Sequence, residues 1–245
     1  MAPLISLQNV SKRYPDGGRD VLVLDRVSLT VESGASVGVY GARRSGKSTL
    51  LRLAAGIVLP DSGSVLFDGE DMAAMGATAR GRLLRGAIAF MSAADWRAHP
   101  GETVIDHIAT SLGSEGLTMR EARHRAVRIL DQLGIGVAGA QETVTSLSLT
   151  DRTRVMLARA LAREPRLLVL DEPAVMPNLG DRDRFYAQLR AAAREREMAL
   201  LIASEEMAAL QGVGVLVSVA DGELCSTEES GTVVPLPRRR AMGNR

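Results

Sequence analysis

The stretch Gly41-Ala42-Arg43-Arg44-Ser45-Gly46-Lys47-Ser48-Thr49 constrains this chain more than any other. An apolar, β-branched run over residues 35–40 precedes it, and Leu50-Leu51-Arg52-Leu53-Ala54-Ala55 follows. The order is strand, glycine-bounded loop, helix. The spacing is G-x-x-x-x-G-K-S, that of a phosphate-binding loop. Backbone N–H groups of residues 42–48 can point at a phosphate, and the N-terminus of the following helix adds positive potential. Lys47 is placed to neutralise the outer phosphates of a nucleotide, and the Ser48 hydroxyl to bind Mg2+.

A second stretch complements the first. Arg166-Leu167-Leu168-Val169-Leu170-Asp171-Glu172 is four apolar residues ending in two acids. This reads as a buried parallel strand with carboxylates at its C-terminal tip, where ligands bind in open α/β sheets. Beside a metal-bound triphosphate, such a carboxylate can orient a water for in-line attack.

Between and around these stretches the chain alternates structure types. Residues 4–10 read as an amphipathic strand, 11–18 as a turn-rich loop carrying Tyr14, and Val21 to Val31 as further strand. The helix opened by Ser48 ends near Gly56, and residues 64–69 form a short strand and turn. Residues 71–86 carry a weak helical pattern, 87–91 read as a buried strand and 92–101 as a loop. From Thr103 to about Leu133 the apolar period is helical, so 103–150 looks like an inserted helical unit. Ser148 and Asp151 form a capping box opening a helix over 152–163. Asp183 to Arg196 is predicted as a helix, 198–203 as a buried strand, and 213–225 as a closing hairpin. Residues 226–245 lose periodicity and end near the basic run Arg238-Arg239-Arg240, read as a solvated tail.

Composition excludes several classes. The 245 residues are 46% apolar, enough for a large core. A net charge of +1 carries no global nucleic-acid or membrane-surface footprint. Cys225 is the only cysteine, so an internal disulfide framework is ruled out. No apolar run approaches the roughly 20 residues of a membrane span. Lys12, Arg13 and Asp16 follow Met1 too soon for a signal-peptide core. The expectation is a cytoplasmic protein.

From residue 4 to about 225 the chain resembles the nucleotide-binding subunit of an ABC (ATP-binding cassette) transporter. Most specific is residues 154–173, Arg-Val-Met-Leu-Ala-Arg-Ala-Leu-Ala-Arg-Glu-Pro-Arg-Leu-Leu-Val-Leu-Asp-Glu-Pro, close to family sequence throughout. Leu147 also stands 24 residues before Asp171, where the family's signature begins. The resemblance implies an α/β fold: a P-loop NTPase (RecA-like) core with an N-terminal antiparallel β subdomain and an inserted α-helical subdomain. It implies one domain over 1–225, with core and β subdomain at 1–92 and 151–225, the helical subdomain at about 93–150, and a flexible tail at 226–245. It implies ATP and Mg2+ as ligands, with residues 41–49 and Ser148 around the phosphates and Tyr14 stacked on adenine. Ser48 and Asp171 would hold the metal. Glu172 would be the general base and Lys47 its catalytic partner.

Four elements depart from the family pattern. Arg44 replaces a small residue in the phosphate loop. Ala93 or Ser92 stands where the Q-loop glutamine is expected. The signature Leu-Ser-Gly-Gly-Gln is replaced by Leu147-Ser148-Leu149-Thr150-Asp151, which keeps the serine and loses both glycines. Glu205 replaces the switch histidine. Losing one preorganised donor to a transition state costs about 10²–10³ in rate. A carboxylate about 4 Å from the γ-phosphate adds up to roughly 4 kcal/mol of repulsion at an effective dielectric near 20. The expectation is firm ATP binding with hydrolysis that is slow or partner-dependent.

The resemblance further implies integral-membrane permease subunits as partners, a peripheral position on the cytoplasmic face, and head-to-tail pairing with a second cassette, either a copy or a different chain. No nucleic-acid partner is expected. The alternative reading is a hydrolytically impaired, nucleotide-gated dimerisation or regulatory module, or the degenerate half of a heterodimeric ATPase. Trp96, the only tryptophan, lies in the loop that faces the membrane subunit in this family. Its two readings are an interface anchor and packing on its own helical unit.

Overall fold

A computed structural model of the chain describes residues 2–113, 116–173, 176, 178–227 and 233–235. Alternating apolar and polar residues turn one face of β1 (Ile5–Asp16) inward, burying Ile5, Leu7 and Val10. β1 pairs antiparallel with β2 (Arg19–Val31) and β4 (Ser62–Phe67), and β5 (Glu70–Asp71) closes the edge of this four-stranded sheet. The loop expected over 11–18 is mostly strand. Register shifts between Leu7 and Arg13 absorb the turn-rich residues without ending the pairing. Asp61 secures the region, accepting from Lys12 Nζ at 2.8 Å and from the Arg13 N–H at 2.6 Å. Only Gly17-Gly18 form the hairpin turn.

The second sheet carries the site. Its strands are β3 (Ser36–Tyr40), β6 (Ile88–Ser92), β7 (Leu167–Asp171), β8 (Ala199–Ser204), β9 (Val215–Ala220), β10 (Glu223–Thr227) and β11 (Val233–Pro235), in the order β11-β10-β9-β3-β8-β7-β6. From β9 to β6 the pairing is parallel; β10 and β11 are antiparallel. Part of the expected patternless tail is therefore strand: β10 runs to Thr227, and Val233–Pro235 pairs with it. Ladder pairing uses backbone groups, which periodicity does not report. Arg238-Arg239-Arg240 lie outside the described residues.

Strand alternation divides the core. Leu167 and Val169 of β7, with Leu201 of β8, join β1, β2 and α1 (Lys47–Ala54) in one cluster. Leu168, Leu170, Leu200 and Ile202 join the helical side in the other. All five residues of β7 are buried, as a central parallel strand requires.

The helical side contains α3 (Val104–Thr110), α4 (Met119–Gln132), α5 (Val137–Gln141), α6 (Leu149–Leu161) and α7 (Leu179–Glu195); α2 (Ala77–Arg85) precedes β6. Ile108, Ile129 and Leu130 of the inserted helices share a cluster with Leu168 and Phe185. Two helices begin before the residues expected. Ser148 caps α6, so that helix opens at Leu149 and not at Arg152. Asn178 caps α7 by accepting from the Gly180 N–H at 2.8 Å, so that helix opens at Leu179 and not at Asp183. In both cases the cap, not the apolar period, sets the first turn.

Candidate nucleotide site

The phosphate loop joins β3 to α1, and two of its glycines are required by contact. A Cβ on Gly41 would lie 2.6 Å from Ser45 Oγ and from the Val219 carbonyl oxygen. Gly46, the N-cap of α1, has φ 110°, and a Cβ there would lie 2.9 Å from Leu24 Cδ2. α1 has no side-chain cap and no acid in its first turn, so its leading N–H groups are left for an anion. Arg44 is exposed and has φ 64°. That left-handed backbone explains why a small residue suits the position, and it costs a branched side chain roughly 1–2 kcal/mol.

The chemistry-bearing side chains converge at the strand ends. Lys47 is buried, and its Nζ donates to the carbonyls of Gly41 (2.8 Å) and Ala42 (3.0 Å). The Ser48 hydroxyl donates to Asp171 Oδ1 at 3.0 Å across 123 residues of sequence. Glu172 follows with φ 46°, its N–H donating to the Ala203 carbonyl at 3.1 Å. Glu172 Oε2 accepts from Ser204 Oγ at 3.3 Å. Its Oε1 lies 3.7 Å from Lys47 Nζ and has no hydrogen-bond partner among the described residues. Burial pushes the Glu172 carboxyl above the usual range; Lys47 opposes the shift and the charge of Glu205 adds to it. Glu205 Oε1 itself stands 3.8 Å from Lys47 Nζ and 3.8 Å from Arg43 Nε.

The chain thus brings Lys47, Ser48, Asp171 and Glu172 together, with Arg43 and Glu205 at the rim. Two oxygen donors, the Ser48 hydroxyl and the Asp171 carboxylate, suit a hard divalent cation completed by phosphate and water. Other predicted residues stand apart from this cluster. Tyr14 is half-buried on β1 opposite Val21, with Lys12 Nζ 5.6 Å from its ring centre. Its hairpin reaches the loop through Val23 and Leu24, which bound Gly46. Ser148 is engaged locally: its Oγ accepts the Asp151 N–H at 3.1 Å and lies 2.6 Å from Asp151 Oδ2. Ala93 is exposed at the start of a short 3-10 turn. Ser92 before it is buried and in register with Asp171. Sequence reasoning missed Ser204. Its signal is a polar residue ending the apolar run of β8, one step beyond the Asp171–Ala203 pairing.

A cleft of about 620 Å³ opens beside β6, lined by Phe90, Trp96, Arg97, His107, Met156 and Arg159 among others. The rings of Trp96 and His107 are 5.1 Å apart. Trp96 thus packs on the helical unit, the second of its two readings, and lines the cleft. His107 Nδ1 lies 3.0 Å from Glu102 Oε2, and its buried Nε2 has no partner among the described residues. Burial lowers the His107 pKa against the pull of Glu102. A neutral ring donating from Nδ1 leaves the buried Nε2 as an acceptor.

Comparison with known proteins agrees with this geometry. The profile of the ABC transporter family matches residues 24–175. The lipoprotein-releasing system ATP-binding protein LolD of Pseudomonas syringae pv. tomato is 32% identical over 229 residues, covering 90% of this chain and 96% of its own. The methionine import ATP-binding protein MetN of Caulobacter vibrioides is 33% identical over 218 residues, covering 89% of this chain and 64% of its own. Among solved structures, the dimeric ATP-binding cassette MJ0796 in a post-hydrolysis state bound to ADP and Pi superposes with a TM-score of 0.83 at 23% identity, covering 90% of this chain and 96% of its own. That likeness concerns the fold; family membership rests on the profile and the sequence relatives. The alternative of a regulatory module is not favoured by these comparisons. A phosphate loop, a carboxylate pair at the tip of β7 and an inserted helical unit occur here in one order and one fold, and the chain belongs to the ABC transporter family as an ATP-binding subunit.

Proposed function

We propose that the chain binds Mg-ATP at the 41–49 loop, hydrolyses it slowly, and so drives substrate movement through separate integral-membrane permease subunits. The observation that carries this reading is the convergence of Ser48 on Asp171 at 3.0 Å with Glu172 Oε1 at 3.7 Å from Lys47. Residues 41–49 hold the phosphates, with Lys47 against the outer pair. Ser48 and Asp171 hold Mg2+, which supplies charge neutralisation at the phosphate oxygens. Glu172 Oε1 is a buried acceptor with no hydrogen-bond partner among the described residues, suited to take a proton from the attacking water. Its hydrogen bond from Ser204 fixes the other oxygen, so the base presents one defined edge. Tyr14 supplies an aromatic face for the adenine. Ser148 serves the nucleotide of a second cassette, a copy or a different chain, in a head-to-tail pair.

The cleft at Trp96 receives a segment of the permease. Arg97 and Arg159 favour acidic groups on that segment. Through this contact the chain sits at the cytoplasmic face of the membrane. No helix among the described residues is itself long and apolar enough to cross one. The relatives are named for lipoprotein release and for methionine import, so we assign the choice of substrate to the membrane subunits.

The test is thermal melting and phosphate release with purified protein. Mg-ATP is expected to raise the melting temperature, Lys47→Ala to remove that rise, and Glu172→Gln to lower steady-state phosphate release well below native. A melting temperature indifferent to Mg-ATP would refute the binding site. Equal phosphate release from native and Glu172→Gln protein would refute turnover at it. Co-purification of a tagged copy from membranes identifies the permease and the second cassette.

A further inference from the structure

We infer that Glu205, balanced by Arg43, discriminates between nucleotides at this site, weakening a bound triphosphate relative to a diphosphate. The inference rests on the ATP-site reading above. Glu205 follows β8 directly, one residue beyond Ser204, and its charge adds to the upward shift of the Glu172 carboxyl. Glu172 Oε1 at 3.7 Å and Glu205 Oε1 at 3.8 Å share the Lys47 amine. The loop N–H groups and the N-terminus of α1 cradle an inner phosphate. A terminal phosphate extends from there toward the ends of β7 and β8, where the carboxylates are.

The distances carry the argument. Glu205 Oε1 is 3.8 Å from Lys47 Nζ. A phosphate oxygen hydrogen-bonded to that same amine, at about 2.8 Å, comes within about 7 Å of the Glu205 carboxylate. The terminal phosphate carries the charge closest to Glu205, so the repulsion falls mainly on the triphosphate. The side chain of Glu205 is 42% exposed, so charge and not packing holds it near the loop. Arg43 Nε lies 3.8 Å from the same Oε1 and supplies the compensating charge. An acid at the end of β8 and a base at the tip of the loop thus form one electrostatic unit, built from two residues 162 positions apart.

The experiment is calorimetric titration of the full chain with the magnesium complexes of ADP and of a non-hydrolysable ATP analogue. Native protein, Glu205→Gln, Arg43→Ala and the double variant are compared. Glu205→Gln is expected to tighten the triphosphate about tenfold and the diphosphate by less than about threefold. Arg43→Ala is expected to weaken the triphosphate about threefold when Glu205 is present and less when it is Gln, a coupling that a double-mutant cycle reads. Melting temperatures establish that each variant is folded, and Glu205→Ser replaces Glu205→Gln if the latter is not. Equal shifts for both nucleotides, no shift for the triphosphate, or no coupling to Arg43 would overturn the inference while leaving the site intact. Native protein that binds neither nucleotide would overturn the site reading and the inference with it.

Discussion

Two helix N-termini in this chain start from the same physics and end differently. α1 opens at Gly46 with no side-chain cap and no acid in its first turn. α6 opens at Ser148, whose hydroxyl accepts the Asp151 N–H, with the Asp151 carboxylate in the first turn. Both helices present orphan N–H groups and a positive dipole end. α1 leaves them for an external anion, and Lys47 adds a charge beside them. α6 satisfies one of them, the Asp151 N–H, with its own cap and supplies its own negative group. Glycines at the start of a signature helix would let a backbone approach a phosphate; here Leu149 is 44% exposed instead. On the proposed reading, the phosphate-binding half of the site keeps an open helix N-terminus, while the half proposed to address a partner's nucleotide carries its own cap. That asymmetry, together with Glu205, is the structural basis for expecting slow turnover.

Four variants test the contrast. The largest effect is expected for Glu172→Gln, which removes the base serving the α1 end: phosphate release should fall by about 10²-fold or more, with Mg-ATP still raising the melting temperature. Next is Lys47→Ala, which should abolish ligand stabilisation worth about 2.7 kcal/mol at nucleotide one hundredfold above Kd; a retained shift would mean that the helix end alone suffices. Gly46→Ala forces a side chain into φ 110° against Leu24 and Val23. It should cost about 1–3 kcal/mol of stability and weaken nucleotide binding together, read by denaturant melts with and without Mg-ATP. The smallest is Ser148→Ala, expected to cost about 1 kcal/mol, or roughly 2–4 °C in melting temperature for a chain this size. Its single-chain Mg-ATP affinity should not change. If Ser148→Ala weakened nucleotide binding in the monomer, the separation of the two helix ends drawn here would fail.

Much of this was legible before any coordinates. The 41–49 spacing, the apolar run ending in Asp171-Glu172 and the helical period after Thr103 are local patterns, and each became the element they imply. Local signals failed where long-range pairing overrides them. Lys12, Arg13 and Tyr14 read as loop, yet β1 continues through them because β2 supplies their ladder partners, Leu24, Leu22 and Val21. Helix starts at Leu149 and Leu179 were read late because apolar periodicity ignores the polar first turn that a cap creates. Ser204 was overlooked because one serine after a strand carries no meaning until β8 is known to lie beside β7.

The amino-acid sequence by itself determined that a phosphate loop exists, that two acids end a buried strand, and which four elements depart from the family pattern. Those are matters of residue type at fixed spacing. Only the tertiary structure decided that Ser48 meets Asp171, that Lys47 stands between Glu172 and Glu205, and that Arg43 balances Glu205. Parallel pairing of β3, β7 and β8 is what sets those side chains within about 4 Å of one another, since electrostatic coupling depends on distance in space and not on separation along the chain.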